Sequence, residues 1–217
     1  MDKPIDNYWK LRLADLKVAL EANNFNAYLA EDRDEAYNLV KDTIIPKLKV
    51  KTVSWGGSMT VLSAGLYDKL MKDSSLEVID TLDKKIPVDE MVERRRQALL
   101  VDLFITGTNA VTEAGQLVNL DMIGNRICAL TFGPKWVILL IGRNKIVANI
   151  DEAMYRIKNY VAPVNAMRLD KKTPCVKTSY CEECKSPDRI CSTWTITEKS
   201  FPKGRVNVVL INEDLGF

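Results

Sequence analysis

A chain of 217 residues that is 47% hydrophobic can bury a full core, and is expected to form one compact domain with at most a small appendage. Its 31 basic and 29 acidic side chains leave a net charge of +2, too balanced for electrostatically driven nucleic-acid binding. There is no histidine, which excludes Ser-His-Asp and Cys-His catalysis and His-ligated zinc; any chemistry falls to carboxylates, lysine, tyrosine, cysteine or a cofactor.

Residues 6–22 carry Trp9, Leu13, Leu16 and Leu20 at helical spacing and predict an amphipathic helix. A short strand follows over 25–30, and Asp32 caps a second helix whose Ala36, Leu39, Val40 and Ile44 face the core and which stops before Pro46. Residues 50–55 alternate toward a strand. The corner Gly56-Gly57-Ser58 then leads into a helical run over 61–71, an arrangement that aims free backbone N–H groups at an anion. The plainer reading is a tight turn capped by Ser58. After a strand over 76–79, Pro87 opens a helix with Asp89 and Glu90 in its first turn, Arg94, Arg95 and Arg96 further on, and Val88, Met91, Val92 and Leu99 as its buried stripe. The arginine triplet reads as a solvated face.

The stretch LFITGTNAVTEAGQLVNL at 103–120 is the one around which the rest is organised. Leu103-Phe104-Ile105 is a buried strand that stops at Thr106-Gly107 and delivers Thr108, Asn109 and Glu113 to the carboxyl edge of a sheet, where open α/β folds bind ligands. Residues 111–113 and 116–120 form a hairpin with Ala114-Gly115 at its tip. Glu113 is the first candidate for catalysis; the alternative is a turn carboxylate in water. Gly124-Asn125-Arg126 starts a short helix with Ile127, Ala129 and Leu130, in which Cys128 is expected as a buried small hydrophobe. Residues 135–141 are apolar on both faces, as a central parallel strand should be, and Ile150, Ala153, Met154, Ile157 and Val161 form one face of a last helix. Strands alternating with helices predict an α/β fold with a mostly parallel sheet.

Cys175, Cys181, Cys184 and Cys191 read C-x5-C-x2-C-x6-C in a polar setting. Four thiols in such a loop suit a metal, and without histidine the choices are zinc on four thiolates or an iron–sulfur cluster; free thiols or a redox disulfide are the alternative. Strands over 192–197 and 205–211 would close the fold as a hairpin-like lobe. The expected division is a helical flank over 1–48, an α/β core over 49–168, and the Cys-rich loop with its strands over 169–217. No stretch reaches bilayer length and no signal pattern opens the chain, so a cytoplasmic protein with no membrane partner is expected.

The motifs Thr106-Gly-Thr-Asn-Ala-Val-Thr-Glu-Ala-Gly-Gln-Leu-Val-Asn-Leu-Asp121, Gly124-Asn-Arg126, Phe132-Gly-Pro-Lys-Trp-Val137, Gly142-Arg-Asn-Lys-Ile-Val147 and, upstream, Ser54-Trp-Gly-Gly-Ser58 are similar to those of the lactate-utilisation (LUD) family. The resemblance covers residues 5–165, and the cysteine tail resembles that of small single-domain members found in anaerobes. It implies a three-layer Rossmann-like fold of the isomerase and CoA-transferase (NagB/RpiA/CoA-transferase-like) superfamily with a small C-terminal Cys-rich lobe. It also implies a pocket for a small anionic metabolite between Gly56, Gly57 and Ser58 and the strand end from Thr106, Gly107, Thr108 and Asn109 to Glu113, with Asn119 and Asn125 beside them. The family implies an accessory or substrate-binding role in oxidation of L-lactate to pyruvate with iron–sulfur partner subunits. The superfamily implies instead a stand-alone isomerase or acyl-CoA transferase using Glu113; a non-enzymatic metabolite sensor is the third reading. A homo-oligomer is compatible with all three.

Overall fold

The structure, a computed structural model, describes residues 4–83 and 85–217. Its strands are β1 (Asn26–Ala30), β2 (Thr52–Trp55), β3 (Glu77–Ile79), β4 (Leu103–Gly107), β5 (Ala110–Thr112), β6 (Leu117–Asp121), β7 (Trp136–Gly142), β8 (Ile146–Val147), β9 (Thr193–Thr197) and β10 (Val206–Ile211). Six of them form an all-parallel sheet in the order β1-β10-β7-β4-β2-β3. The other four form a second sheet, β8-β5-β6-β9, in which β6 runs antiparallel to both neighbours.

The period of two along each parallel strand divides the core. Ile138, Leu140, Val209 and Ile211 point to one face and meet Ala36, Val40, Ile44, Val61, Leu66 and Leu70. Val137, Leu139, Ile141, Val208 and Leu210 point to the other and meet Leu13, Leu16 and Leu20 of helix Pro4–Ala22, and Leu130 of helix Asn125–Thr131. Strands covered on both faces must be largely apolar on both, which is why residues 136–141 of β7 are an unbroken hydrophobic run and β10 is broken only by Asn207, whose side chain is hydrogen-bonded to Asn26. The result is the expected three-layer α/β fold.

Several expectations are corrected. The last two strands are not a hairpin lobe: β10 is inserted between β1 and β7 in the main sheet, where a fully buried VNVVLI finds two covered faces, and β9 pairs with β6. β1, from the 1–48 segment, and β10, from the 169–217 segment, therefore share a sheet with the strands of 49–168. The second helix does not stop before Pro46. Residues Leu39–Ile44 wind as a π-helix, and Pro46 falls in the first turn of helix Ile45–Leu48, where its missing N–H removes no helical bond. Asp32 caps this helix as expected, accepting from the N–H groups of Asp34 and Glu35.

The run expected over 61–71 is two short helices, Met59–Ser63 and Leu66–Leu70, broken at Gly65 with φ +66°. Helix Val88–Gln97 buries none of its residues, and Val88 is 78% exposed: three apolar residues within its first turn and a half cannot make a stripe. Cys128 is exposed, because Arg126, Ile127, Ala129 and Leu130 occupy the inner side of its helix. No helix among the described residues is long and apolar enough to cross a membrane.

Candidate functional site

The carboxyl ends of β2, β4 and β7 meet at one place. A Cβ added to Gly56, just after β2, would lie 2.5 Å from Thr106 Oγ1 and 3.0 Å from Arg126 Cγ, so the bare backbone is what lets this corner pack on the end of β4. A Cβ on Gly107 would lie 2.6 Å from Ser58 Oγ. The glycine corner and the Thr106-Gly107 strand end are thus in contact, and Gly57 between them faces open space. Ser58 caps helix Met59–Ser63 through Val61 N at 3.4 Å. With five residues, that helix supplies little dipole for the anion site expected at its start.

The charge at this edge comes from side chains instead. Gly124, at φ +87°, turns the chain so that the helix beginning at Asn125 sends Arg126 inward. Arg126 Nη2 donates to Asp121 Oδ1 at 2.5 Å and to Asn109 Oδ1 at 2.8 Å, and Nη1 donates to Asn119 Oδ1 at 2.6 Å and to Gly107 O at 3.2 Å. Thr108 Oγ1 and Asn109 N also donate to Asn119 Oδ1, at 3.1 and 3.2 Å. One guanidinium thereby ties the end of β4 to the base of the β5–β6 hairpin.

Lys145, in the turn after β7, is 5% exposed; its Nζ donates to Thr60 Oγ1 at 2.7 Å and to Thr108 O at 3.0 Å. No carboxylate among the described residues bonds it. Burial lowers its pKa to about 7, and the neighbouring Arg156 and Arg126 push in the same direction. Arg156 donates to Asn109 O and Asn144 O, each at 3.0 Å, and lies over the Tyr160 ring. Three basic side chains, two of them arginines, therefore share one bonded carboxylate, Asp121. Two buried polar atoms nearby have no partner: Thr106 Oγ1 and the Asn119 amide nitrogen, whose oxygen is already committed three times. Positive charge with spare donors is suited to an anion bearing hydrogen-bond acceptors.

The LUD domain profile matches residues 13–211, which include every strand and the whole cationic cluster. The chain belongs to the LUD domain family. Solved structures to which this LUD domain is similar include a DUF162 family protein from Deinococcus radiodurans, at 16% identity over 83% of this chain and 98% of that one, with a TM-score of 0.29. Ribose 5-phosphate isomerase from Plasmodium falciparum is another, at 16% identity over 54% of each chain, with a TM-score of 0.32. No curated protein gives a significant match.

Among the candidates read from the sequence, the fold of this LUD domain brings together Gly56, Ser58, Thr106, Gly107, Thr108, Asn109 and Asn119. Asn125 is adjacent, but its side chain makes none of the cluster's bonds. Glu113 is not brought in. It sits past the end of β5, roughly 13 Å of extended chain from Asn109, where its carboxylate pairs with Arg12 of the first helix and is 49% exposed. Its backbone N–H donates to Val147 O at 2.9 Å.

Thr60, Asp121, Arg126, Lys145 and Arg156 were not among the candidates. Asp121, Arg126 and Lys145 lie within the family-like motifs, and Arg126 also stands in helical phase with Ala129 and Leu130, on the side that must face the core.

The four cysteines of the LUD domain's C-terminal segment are free thiols that line one cavity of about 20 Å³, together with Lys158 and Arg189. Lys158 Nζ lies 3.7 Å from Cys181 Sγ and 2.9 Å from Glu183 Oε2. Burial opposes its charge, but the Glu183 hydrogen bond with the nearby Cys181 and Cys191 outweighs that, and its pKa is raised. Among the described residues, no three cysteine or carboxylate side chains are grouped so as to hold a metal ion. The four thiols and two cations share this one void.

Proposed function

We propose that this LUD-domain protein binds a small organic anion of the lactate and pyruvate class at the Arg126, Lys145 and Arg156 cluster, serving lactate-related metabolism as a substrate-binding component. The observation that supports it is the charge balance: two buried or half-buried arginines and a buried lysine amine, set against one bonded carboxylate, with two buried donors without partners. The wider reading, an accessory to L-lactate oxidation alongside iron–sulfur partner subunits, rests on the family alone. The isomerase or acyl-CoA transferase reading depends on Glu113, which is engaged by Arg12 outside the cluster.

Ligand-induced thermal stabilisation tests this, because a ligand that binds only the folded state raises its apparent stability. Lactate or pyruvate should raise Tm and the neutral isostere lactamide should not; equal shifts, or none with either acid, would sink the proposal. Thr106→Val provides the finer test. It replaces an unpartnered buried hydroxyl with a methyl group of the same shape, so stability should hold or rise by up to about 1 kcal/mol. Affinity for the acid should fall roughly tenfold, the value of one good hydrogen bond to a charged group. Unchanged affinity would remove Thr106 from the site.

A further inference from the structure

Lys145 has a hydrogen-bond geometry that fixes the direction of its free electron pair. Leu215 O can only accept, so the Thr60 hydroxyl, 3.1 Å away, must give it its proton. Thr60 Oγ1 is then an acceptor toward Lys145 at 2.7 Å, and Thr108 O, at 3.0 Å, is an acceptor by nature. Two acceptors take two N–H bonds. An ammonium would leave a third N–H buried without a partner, whereas a neutral amine uses both of its N–H groups and retains a lone pair. Arg126 and Arg156, the charged groups facing Lys145, disfavour a third cation beside them. Asp121, the nearby carboxylate, is already engaged by Arg126 at 2.5 Å.

We infer that Lys145 is a nucleophilic lysine that condenses with the carbonyl of a small oxo anion, a 2-oxo acid in the simplest case, to form an imine. The amine lone pair attacks the carbonyl carbon, both amine protons and the carbonyl oxygen leave as one water molecule, and a carbon–nitrogen double bond remains; no redox partner is needed. The inference rests on the anion-binding reading only for the anchoring of the carboxylate, by Arg126, Arg156 and the unpartnered donors of Thr106 and Asn119. It assigns to Lys145 the chemistry left open by the absence of histidine and by the engagement of Glu113 elsewhere.

The test is reductive trapping on the full chain. Because Lys145 is 5% exposed, the reagents should be small: glyoxylate and pyruvate with cyanoborohydride at neutral pH, followed by peptide mapping by mass spectrometry. One reduced adduct is expected on Lys145, formed at least roughly tenfold faster than on any other lysine, since ordinary lysines are almost entirely protonated at that pH. Labelling should rise between about pH 6 and 8 as Lys145 loses its proton. Lys145→Arg keeps a basic side chain of similar reach but has no amine lone pair, and should lose the adduct. Adducts spread over surface lysines without preference would overturn the inference. Lys145 left unlabelled while lactate and pyruvate still raise Tm would overturn the imine and leave the anion site standing. Equal labelling of Lys145 by acetaldehyde would uphold the imine and overturn the anion site.

Discussion

A lysine buried beside two arginines carries a penalty that depends on pH, and Lys145 makes that penalty measurable. Its ordinary pKa of 10.5 is lowered to about 7 in the folded chain. Below pH 7 both the folded and unfolded forms hold the proton, and the folded state bears the full cost of the buried charge, on the order of a few kcal/mol. Between pH 7 and 10.5 the unfolded chain still binds a proton that the folded chain has released, so the stability of the wild type rises with pH across this window. Lys145→Met removes the titrating group and leaves Thr60 Oγ1 and Thr108 O without its bonds, a loss nearly independent of pH. The wild type should therefore gain on the variant as pH rises from 6.5 to 9.5, read as the difference in urea midpoints. A constant difference would show that Lys145 titrates normally. Lys145 stands within the family-like motif Gly142-Arg-Asn-Lys-Ile-Val147, but its burial was not legible beforehand. A lysine after a glycine turn looks like a solvated loop residue, and only the packing of Thr60, Thr108 and Arg156 around it makes it otherwise.

Elements were easier to read than their partners. The periodicity of helix Pro4–Ala22 and the double-faced apolar runs of β4 and β7 are local properties, visible in a window of a few residues. The place of β10 between β1 and β7 depends on residues more than sixty positions away, so its sequence gave no address. The helix Asn125–Thr131 combines both cases. Its start is written in Gly124, but its end is held from far away by Arg205, which donates to Leu130 O at 2.6 Å, Ala129 O at 2.8 Å and Pro134 O at 3.1 Å. A buried cation on the last carbonyls of a helix satisfies orphan acceptors and complements the dipole. Arg205→Ala leaves those carbonyls buried and unpaired, and should lower unfolding stability by about 2–4 kcal/mol. Arg205→Lys should recover only part of that, because an ammonium cannot fork across three carbonyls as a guanidinium does. Equal stability of the lysine variant and the wild type would show that charge alone is what the helix end needs.

At the scale of the whole molecule, the cysteine segment is a connection within the smaller sheet: it leads from the helices packed on that sheet into its strand β9, and only after β9 does the chain return to the main sheet as β10. A connection this polar has little core of its own, so what orders it is the cavity where the four thiols meet Lys158 and Arg189. Lys158 and Arg189 line the cavity beside the four thiols, and a divalent metal on four thiolates would carry a net charge of −2 for those two side chains to balance. The electrostatics therefore suit a metal even though the thiols, as placed, do not encircle one. If one binds, closing the small void around it should raise stability, since binding to the native state alone shifts the folding equilibrium. Anaerobic purification should then yield metal in proportion to chain, a chelator should lower Tm, and Cys184→Ser should abolish both effects. Zinc would make the protein colourless and the segment a purely structural clasp; iron with sulfide would make it brown and bleachable by reductant. Metal-free protein with all five thiols titratable and a Tm indifferent to chelator would sink the metal expectation, and leave Lys158 with Glu183 as what orders the connection.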